Sequence, residues 1–137
     1  MSEEDCLFCK IVRNEIPSKK VFENDSVLAF LDINPMSSGH TIVIPKNHYK
    51  TLEEIPDSEV GELFKAVKKV SSTIYQKLDI DGYNIVMNNY SASGQAIGHA
   101  HVHIIPRTHG DELIKLEIPK KQAEEEELDK VLKKIKG

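Results

Sequence analysis

Nowhere do the 137 residues stay apolar for the roughly 20 positions that a membrane-spanning helix requires. The first residues, Met1 to Asp5, are polar and acidic, with no basic stretch leading into an apolar run, so no ordinary secretory signal is expected and the chain reads as cytoplasmic. Cysteine is scarce: Cys6 and Cys9 are the only two, too few for a disulfide framework. Their C-x-x-C spacing leaves three readings, a metal half-site, a redox pair or two small core residues. The redox reading expects a preceding strand, and nothing strand-like precedes Cys6. Positive charge is also short. Eighteen Lys and Arg face twenty-two Asp and Glu, a net charge of −4, so the surface repels a nucleic-acid polymer and any phosphate must be held locally.

What is present suits an ordinary globular domain, 39% hydrophobic and 29% charged. The length fits a single domain over residues 1–137. Leu7, Phe8, Ile11 and Val12 recur at helical spacing, which predicts a short amphipathic helix from Cys6 to Arg13, ended near Ile16-Pro17. Val21 to Glu23 and Val27 to Leu31 read as a hairpin about the turn Asn24-Asp25, and Thr41 to Ile44 as a third strand. From Asp57 to Leu78 the stripe Val60, Leu63, Phe64, Val67, Ile74 and Leu78 predicts a long helix, with Asp57 as its cap. Strands at Tyr83 to Asn88 and His99 to Pro106 follow, joined by a polar loop. The tail, about 113–137, carries Leu128, Val131, Leu132 and Ile135 at helical spacing behind the acidic run Glu124 to Glu127, a solvated helix with one sticky edge. Strands joined by tight turns favour an antiparallel sheet with the long helix packed on one face, an α+β domain.

The informative stretch is His99-Ala100-His101-Val102-His103-Ile104-Ile105. On an extended strand alternate side chains share a face, so three imidazoles point one way while Ala100, Val102 and Ile104 enter the core. Protonating neighbouring imidazoles would bring like charges together, which depresses the pKa of at least one and keeps a neutral ring available as nucleophile, base or ligand. A purely structural role, metal binding and covalent catalysis all remain open from spacing alone.

The same residues resemble the histidine triad family, in which His and apolar residues alternate three times before two further apolar residues. Gly94-Gln95, Phe30-Leu31-Asp32-Ile33 and the run from Gly39 through His40 to Pro45-Lys46-Asn47-His48 add to the likeness, which spans about Cys6 to Thr108 and is nearest the Hint branch. The resemblance implies a five-stranded antiparallel sheet, two subunits joined into one ten-stranded sheet, and hydrolysis at the α-phosphorus of a purine nucleotide conjugate such as a derivative of AMP or GMP. Carried over residue by residue, His101 is the nucleophile of a nucleotidyl-imidazole intermediate, His103 orients it or contacts phosphate, and His99 completes the catalytic trio. Asn88, Ser93, Gly94 and Gln95 match phosphate-contacting positions, Asp32 the acceptor of the ribose hydroxyls, and Phe8, Phe30 and Ile33 the slot around the base, while Ile11 reads more readily as core. Several prokaryotic relatives join an early C-x-x-C to two histidines, here Cys6, Cys9, His48 and His99, as a structural Zn²⁺ site. No organic cofactor is implied.

One position departs from that pattern. Where the Hint branch usually has a hydroxyl residue after Gly94-Gln95, this chain has Ala96, so Ser91, Ser93 or water has to protonate the leaving group. Beside the phosphoramidase reading, dinucleoside polyphosphates are the competing substrates within the same class, and Ala96 together with the sticky C-terminal helix keeps open a nucleotide-binding regulator of low activity. A third has His99, His101 and His103 holding catalytic zinc, though the strand carries no nearby acid to serve as base.

Overall fold

The computed structural model describes residues 3–137. Three α-helices and five strands follow the order α1 (Leu7–Val12), β1 (Lys20–Glu23), β2 (Val27–Leu31), β3 (Thr41–Pro45), α2 (Asp57–Lys77), β4 (Gly82–Val86), β5 (Val102–Arg107) and α3 (Glu125–Lys136). The strands form one antiparallel sheet in the order β1-β2-β3-β5-β4, as expected for the α+β class. Asn24 makes the first hairpin turn, its Oδ1 accepting from the Ser26 and Val27 amides at 2.9 and 2.8 Å.

The sheet is covered on both faces. Leu63, Ala66, Val67, Val70 and Ile74 of α2 pack with Val27, Ala29, Val43, Ala100, Val102 and Ile104 on one side. On the other, α1 brings Cys6, Phe8, Cys9 and Ile11 against Leu28, Phe30, Ile42 and Ile44. Strands covered twice lose the polar alternation of a one-sided sheet, and β2 and β3 accordingly read as near-continuous apolar runs. Each buried aliphatic side chain contributes about 1.5–3 kcal/mol.

Several boundaries differ from the sequence reading, for local reasons. The last strand begins at Val102, not His99, because the Ala100 amide donates to Tyr49 O at 2.7 Å, in the segment after β3, instead of to the ladder. β4 ends at Val86, opposite His103, so Asn88 lies in the following loop. Asp57 is the first residue of α2 and not its cap; Pro56 holds the cap position without a side-chain bond. Phe64 and Leu78 lie off the buried stripe, 37% and 41% exposed, and Ala66, Val70 and Ser71 take their places. Helical structure in the tail starts at Glu125, and no residue of α3 is buried.

Candidate functional site

The side chains of His99, His101 and His103 lie on the α1 face, opposite Ala100, Val102 and Ile104, which enter the α2 core. Phe8 packs edge-on against His101, centroids 5.1 Å apart, and against Phe30 at 5.6 Å. His101 and His103 stand 4.9 Å apart at 76°.

Hydrogen bonds assign the tautomers. His101 Nδ1 lies 2.7 Å from His99 O, which can only accept, so Nδ1 carries the proton and Nε2 keeps its lone pair. The Met36 amide donates to His40 Nδ1 at 3.1 Å, which places the proton of a neutral His40 on Nε2. That nitrogen is 2.9 Å from His103 Nδ1 and donates to it, leaving the His103 proton on Nε2. The Asp32 carboxylate is 3.7 Å from His40 Nε2 and accepts the Asn34 amide at 2.8 Å.

Burial is the leading reason these rings stay neutral. It holds His99 and His103 down to about 4, with neighbouring imidazoles adding to the effect, and it lowers His101 and His40, where Asp32 partly opposes it. Repulsion between like charges, the cause read from the sequence, is present but secondary.

At the other end of the trio the ligand atoms of Cys6, Cys9, His48 and His99 all lie within 4.8 Å of one another. His99 Nε2 donates to Pro45 O at 2.8 Å, so its Nδ1 lone pair faces Cys6 Sγ at 3.4 Å and Cys9 Sγ at 3.5 Å. His48 Nδ1 is 3.3 Å from Cys9 Sγ, while its Nε2 is buried without a partner. A tetrahedral centre with Zn–S of about 2.3 Å and Zn–N of about 2.0 Å separates sulfur from nitrogen by about 3.5 Å, so these spacings fit a metal ion. The four residues are a candidate metal centre.

The loop between β4 and His99 closes one side. Gly94 adopts φ 105, and Ser93 Oγ donates to the Asn89 and Tyr90 carbonyls. Gln95 is fully engaged, accepting the Tyr90 amide at 2.7 Å and donating to the Lys50 and Ile97 carbonyls at 2.7 and 3.0 Å. It holds the loop, and would have to change partners to meet a phosphate. Asn88 Nδ2 is directed toward Gly94, 3.6 Å from where a Cβ there would stand. Ile11 is buried with Phe8 and Phe30, whereas Ile33 is 89% exposed on the turn after β2.

The sequence reading gave His40 no role. The pairing of Ile42 with His103 puts His40, two residues back, on the same face of the sheet, so alternation in β3 was the available signal. Tyr90 was also missed: it holds φ 73 and ψ 156, strained for a residue with a side chain, with its hydroxyl on Glu53 at 2.9 Å.

Residues 13–110 match the model of the HIT domain. The chain belongs to the HIT family. It is 50% identical over 133 residues to an uncharacterized HIT-like protein of Methanocaldococcus jannaschii, covering 96% of this chain and 99% of that protein. It is 47% identical over 109 residues to the adenylylsulfatase HINT3 of Arabidopsis thaliana, covering 80% of this chain and 55% of that one. Among solved structures, a Zn-bound histidine triad family protein of Mycobacterium smegmatis superposes with a TM-score of 0.77 at 32% identity, over 88% of this chain and 86% of that one.

Proposed function

We propose that this HIT protein is a nucleotide hydrolase that breaks a bond at the α-phosphorus of a nucleoside phosphoramidate or related nucleotidyl conjugate, with His101 as nucleophile. The observation that carries the reading is the His101 Nδ1 donation to the His99 carbonyl, which leaves the Nε2 lone pair of a buried, neutral ring free to attack. Nε2 bonds to phosphorus as the leaving group departs with its electron pair and takes a proton. Water then cleaves the Nε2–P bond and releases the nucleoside monophosphate. His103, whose Nε2 carries its proton, meets phosphate oxygens or supplies that proton, the more so because Ala96 has none to give. The adenylylsulfatase among the relatives supports chemistry at a nucleotide phosphorus.

Phe8 and Phe30 would flank the base with Ile33 as an exposed lip, and Asp32 would accept the ribose hydroxyls. Asn88, Ser93, Gly94 and Gln95 would frame the phosphate, with loop amides as donors. Cys6, Cys9, His48 and His99 would hold a structural Zn²⁺, which supplies cross-linking and not chemistry; the Zn-bound relative supports it. His99 connects the two roles, since the carbonyl that fixes the His101 tautomer belongs to a residue whose ring is a metal ligand. The HIT unit would span about 6–108, with 113–137 as its tail. Two copies would join at β4, an edge strand that exposes Tyr83 and Ile85, into a ten-stranded sheet. Among the described residues no helix is long and apolar enough to cross a membrane. Two buried free thiols suit a reducing, cytoplasmic setting.

The test is His101→Ala on purified protein. Hydrolysis of adenosine phosphoramidate is expected to vanish while AMP still binds, and wild-type protein quenched during turnover is expected to carry a nucleotidyl adduct on the peptide containing His101. Unchanged turnover in the variant would sink the reading. Running diadenosine tetraphosphate alongside separates the phosphoramidase from the polyphosphate hydrolase, and AMP binding without turnover of either would leave a binding protein.

A further inference from the structure

We propose that α3 pairs antiparallel with α3 of a second copy of this chain. The inference rests on the β4-edge dimer above and goes beyond it. Leu128, Val131, Leu132 and Ile135 are 56, 42, 50 and 77% exposed, and every residue of the helix is open to solvent. A 12-residue helix is marginal alone in water and draws its stability from burying an apolar face, so its own domain does not account for it. The tail is retained in the Methanocaldococcus relative, where similarity extends over 96% of this chain.

Charge selects the occupant. Glu124 to Glu127 lie at the start of the helix and Lys130, Lys133, Lys134 and Lys136 toward its end. Antiparallel pairing sets the acidic end of each helix beside the lysines of the other, and parallel pairing stacks like on like. The pattern is complementary to itself, as a two-fold interface demands. The apolar stripe is symmetric about Val131–Leu132, so Leu128 of one helix faces Ile135 of its mate.

Position and reach agree. The tail is clamped where it leaves the sheet: Arg107 holds Asp111 through Nε and Nη2 at 2.8 and 3.0 Å, Asn84 of β4 at 2.7 Å and the Leu113 carbonyl at 3.2 Å. It therefore departs beside the open β4 edge. Asn84 is the middle residue of β4, so antiparallel pairing of two full-length β4 strands sets the two clamps opposite each other, on strands about 4.8 Å apart. The arm 112–124 spans up to about 43 Å, so both helices can meet over the joint. Tethering at short range lets a pair too weak to form between free helices form within the dimer.

Single cysteines test the pairing, because both native thiols are buried and the wild type serves as blank. Under mild oxidation with diamide, Leu132→Cys is expected to give a disulfide-linked dimer. Leu128→Cys alone is expected not to, since its two copies lie about 10 Å apart along the antiparallel axis, outside disulfide reach. The double variant L128C/I135C is expected to link efficiently. Self-linking by Leu128→Cys as readily as by Leu132→Cys would mean parallel pairing and overturn the proposal. So would a protein that light scattering reads as a dimer yet links at none of these positions, the helix then lying on the body of the protein or on a different partner. A wild-type monomer would overturn the dimer and the pairing together.

Discussion

Two clusters of histidines sit at opposite ends of one trio, and the hydrogen bonds around them run in opposite senses. Around Cys6, Cys9, His48 and His99, the outer nitrogen of His99 donates away to Pro45 O, so a lone pair faces the sulfurs. Around Asp32, His40 and His103, the outer nitrogen of His40 receives the Met36 amide, so its N–H faces inward and donates to His103 Nδ1. Potential ligand atoms lie within 4.8 Å of one another in both. Distance therefore does not separate them; the direction of the hydrogen bond on the far side of each ring does. For His40 to ligate through Nε2 it would have to give up its only proton, because the Nδ1 side already meets a donor. The first cluster turns lone pairs toward a point where a metal could sit; the second turns an N–H toward His103.

The largest effect is expected from breaking the second cluster. His103→Ala is predicted to lower turnover roughly 10²- to 10⁴-fold, the range for a positioned acid–base group, and to leave metal content unchanged. Steady-state kinetics with elemental analysis on the same sample checks both halves. A second equivalent of bound metal, lost in His40→Ala, would erase the distinction between the clusters.

Breaking the first cluster is predicted to do the reverse. Cys6→Ser is expected to lose the metal and about 3 kcal/mol of stability, because metal affinity enters directly into the folding free energy and because Cys6 is also the cap of α1. Denaturant unfolding measures the loss. Turnover per folded molecule is expected to fall much less than in His103→Ala, through the indirect route from His99 to His101. Metal retained at wild-type stoichiometry in Cys6→Ser would refute the assignment of the four ligands.

The two clusters also differ in how far the sequence disclosed them. The trio was readable because alternation is local: His99, His101 and His103 share a face wherever that stretch is extended. The grouping of Cys6, Cys9, His48 and His99 was readable only through resemblance, since nothing in the spacing says that residue 6 meets residue 99. His40 was overlooked because its partnership with His103 depends on β3 pairing with β5 across 63 positions of chain. The Met36 amide that fixes its tautomer belongs to an irregular turn, which periodicity does not describe. The fold was legible in its elements and order. Their ends were not, because strand limits follow the partner: β4 stops where its ladder with His103 stops. The exposure of α3 could not be read either, since an amphipathic pattern states that a face wants cover without stating what covers it.

A smaller effect is expected at Gly39, which delivers the chain to His40. Its φ of +93 is costly for any residue with a Cβ, and that Cβ would fall 2.6 Å from Leu78 Cδ1 and 3.3 Å from Pro106 Cγ. The leucine end can swing away and the proline ring cannot. Gly39→Ala is therefore predicted to cost about 1–2 kcal/mol, mainly from the backbone. Because His40 moves with it, turnover is expected to drop while metal content holds, which calorimetry and kinetics on one preparation can show. A loss of metal instead would mean the clusters are mechanically coupled, not separate.

The smallest effect is in pH dependence, and its sign follows from burial. His103 is held down to about 4, well below the ordinary histidine value of about 6.5, and burial lowers His101 and His40 as well. In the unfolded chain they protonate near that ordinary value. Between about 6.5 and about 4 the unfolded state thus binds more protons, and stability declines as pH falls through this window. If His101 is the nucleophile, activity per folded molecule is expected to persist to lower pH than an unburied imidazole would allow. His103→Ala removes one of the depressed groups and is predicted to lose less stability than wild type between pH 6.5 and 5, measured by denaturant midpoints at each pH. A wild-type kcat/KM that titrates with a midpoint near 6.5 would show that solvent reaches the rings, and burial would no longer explain why the proton-placing cluster stays neutral.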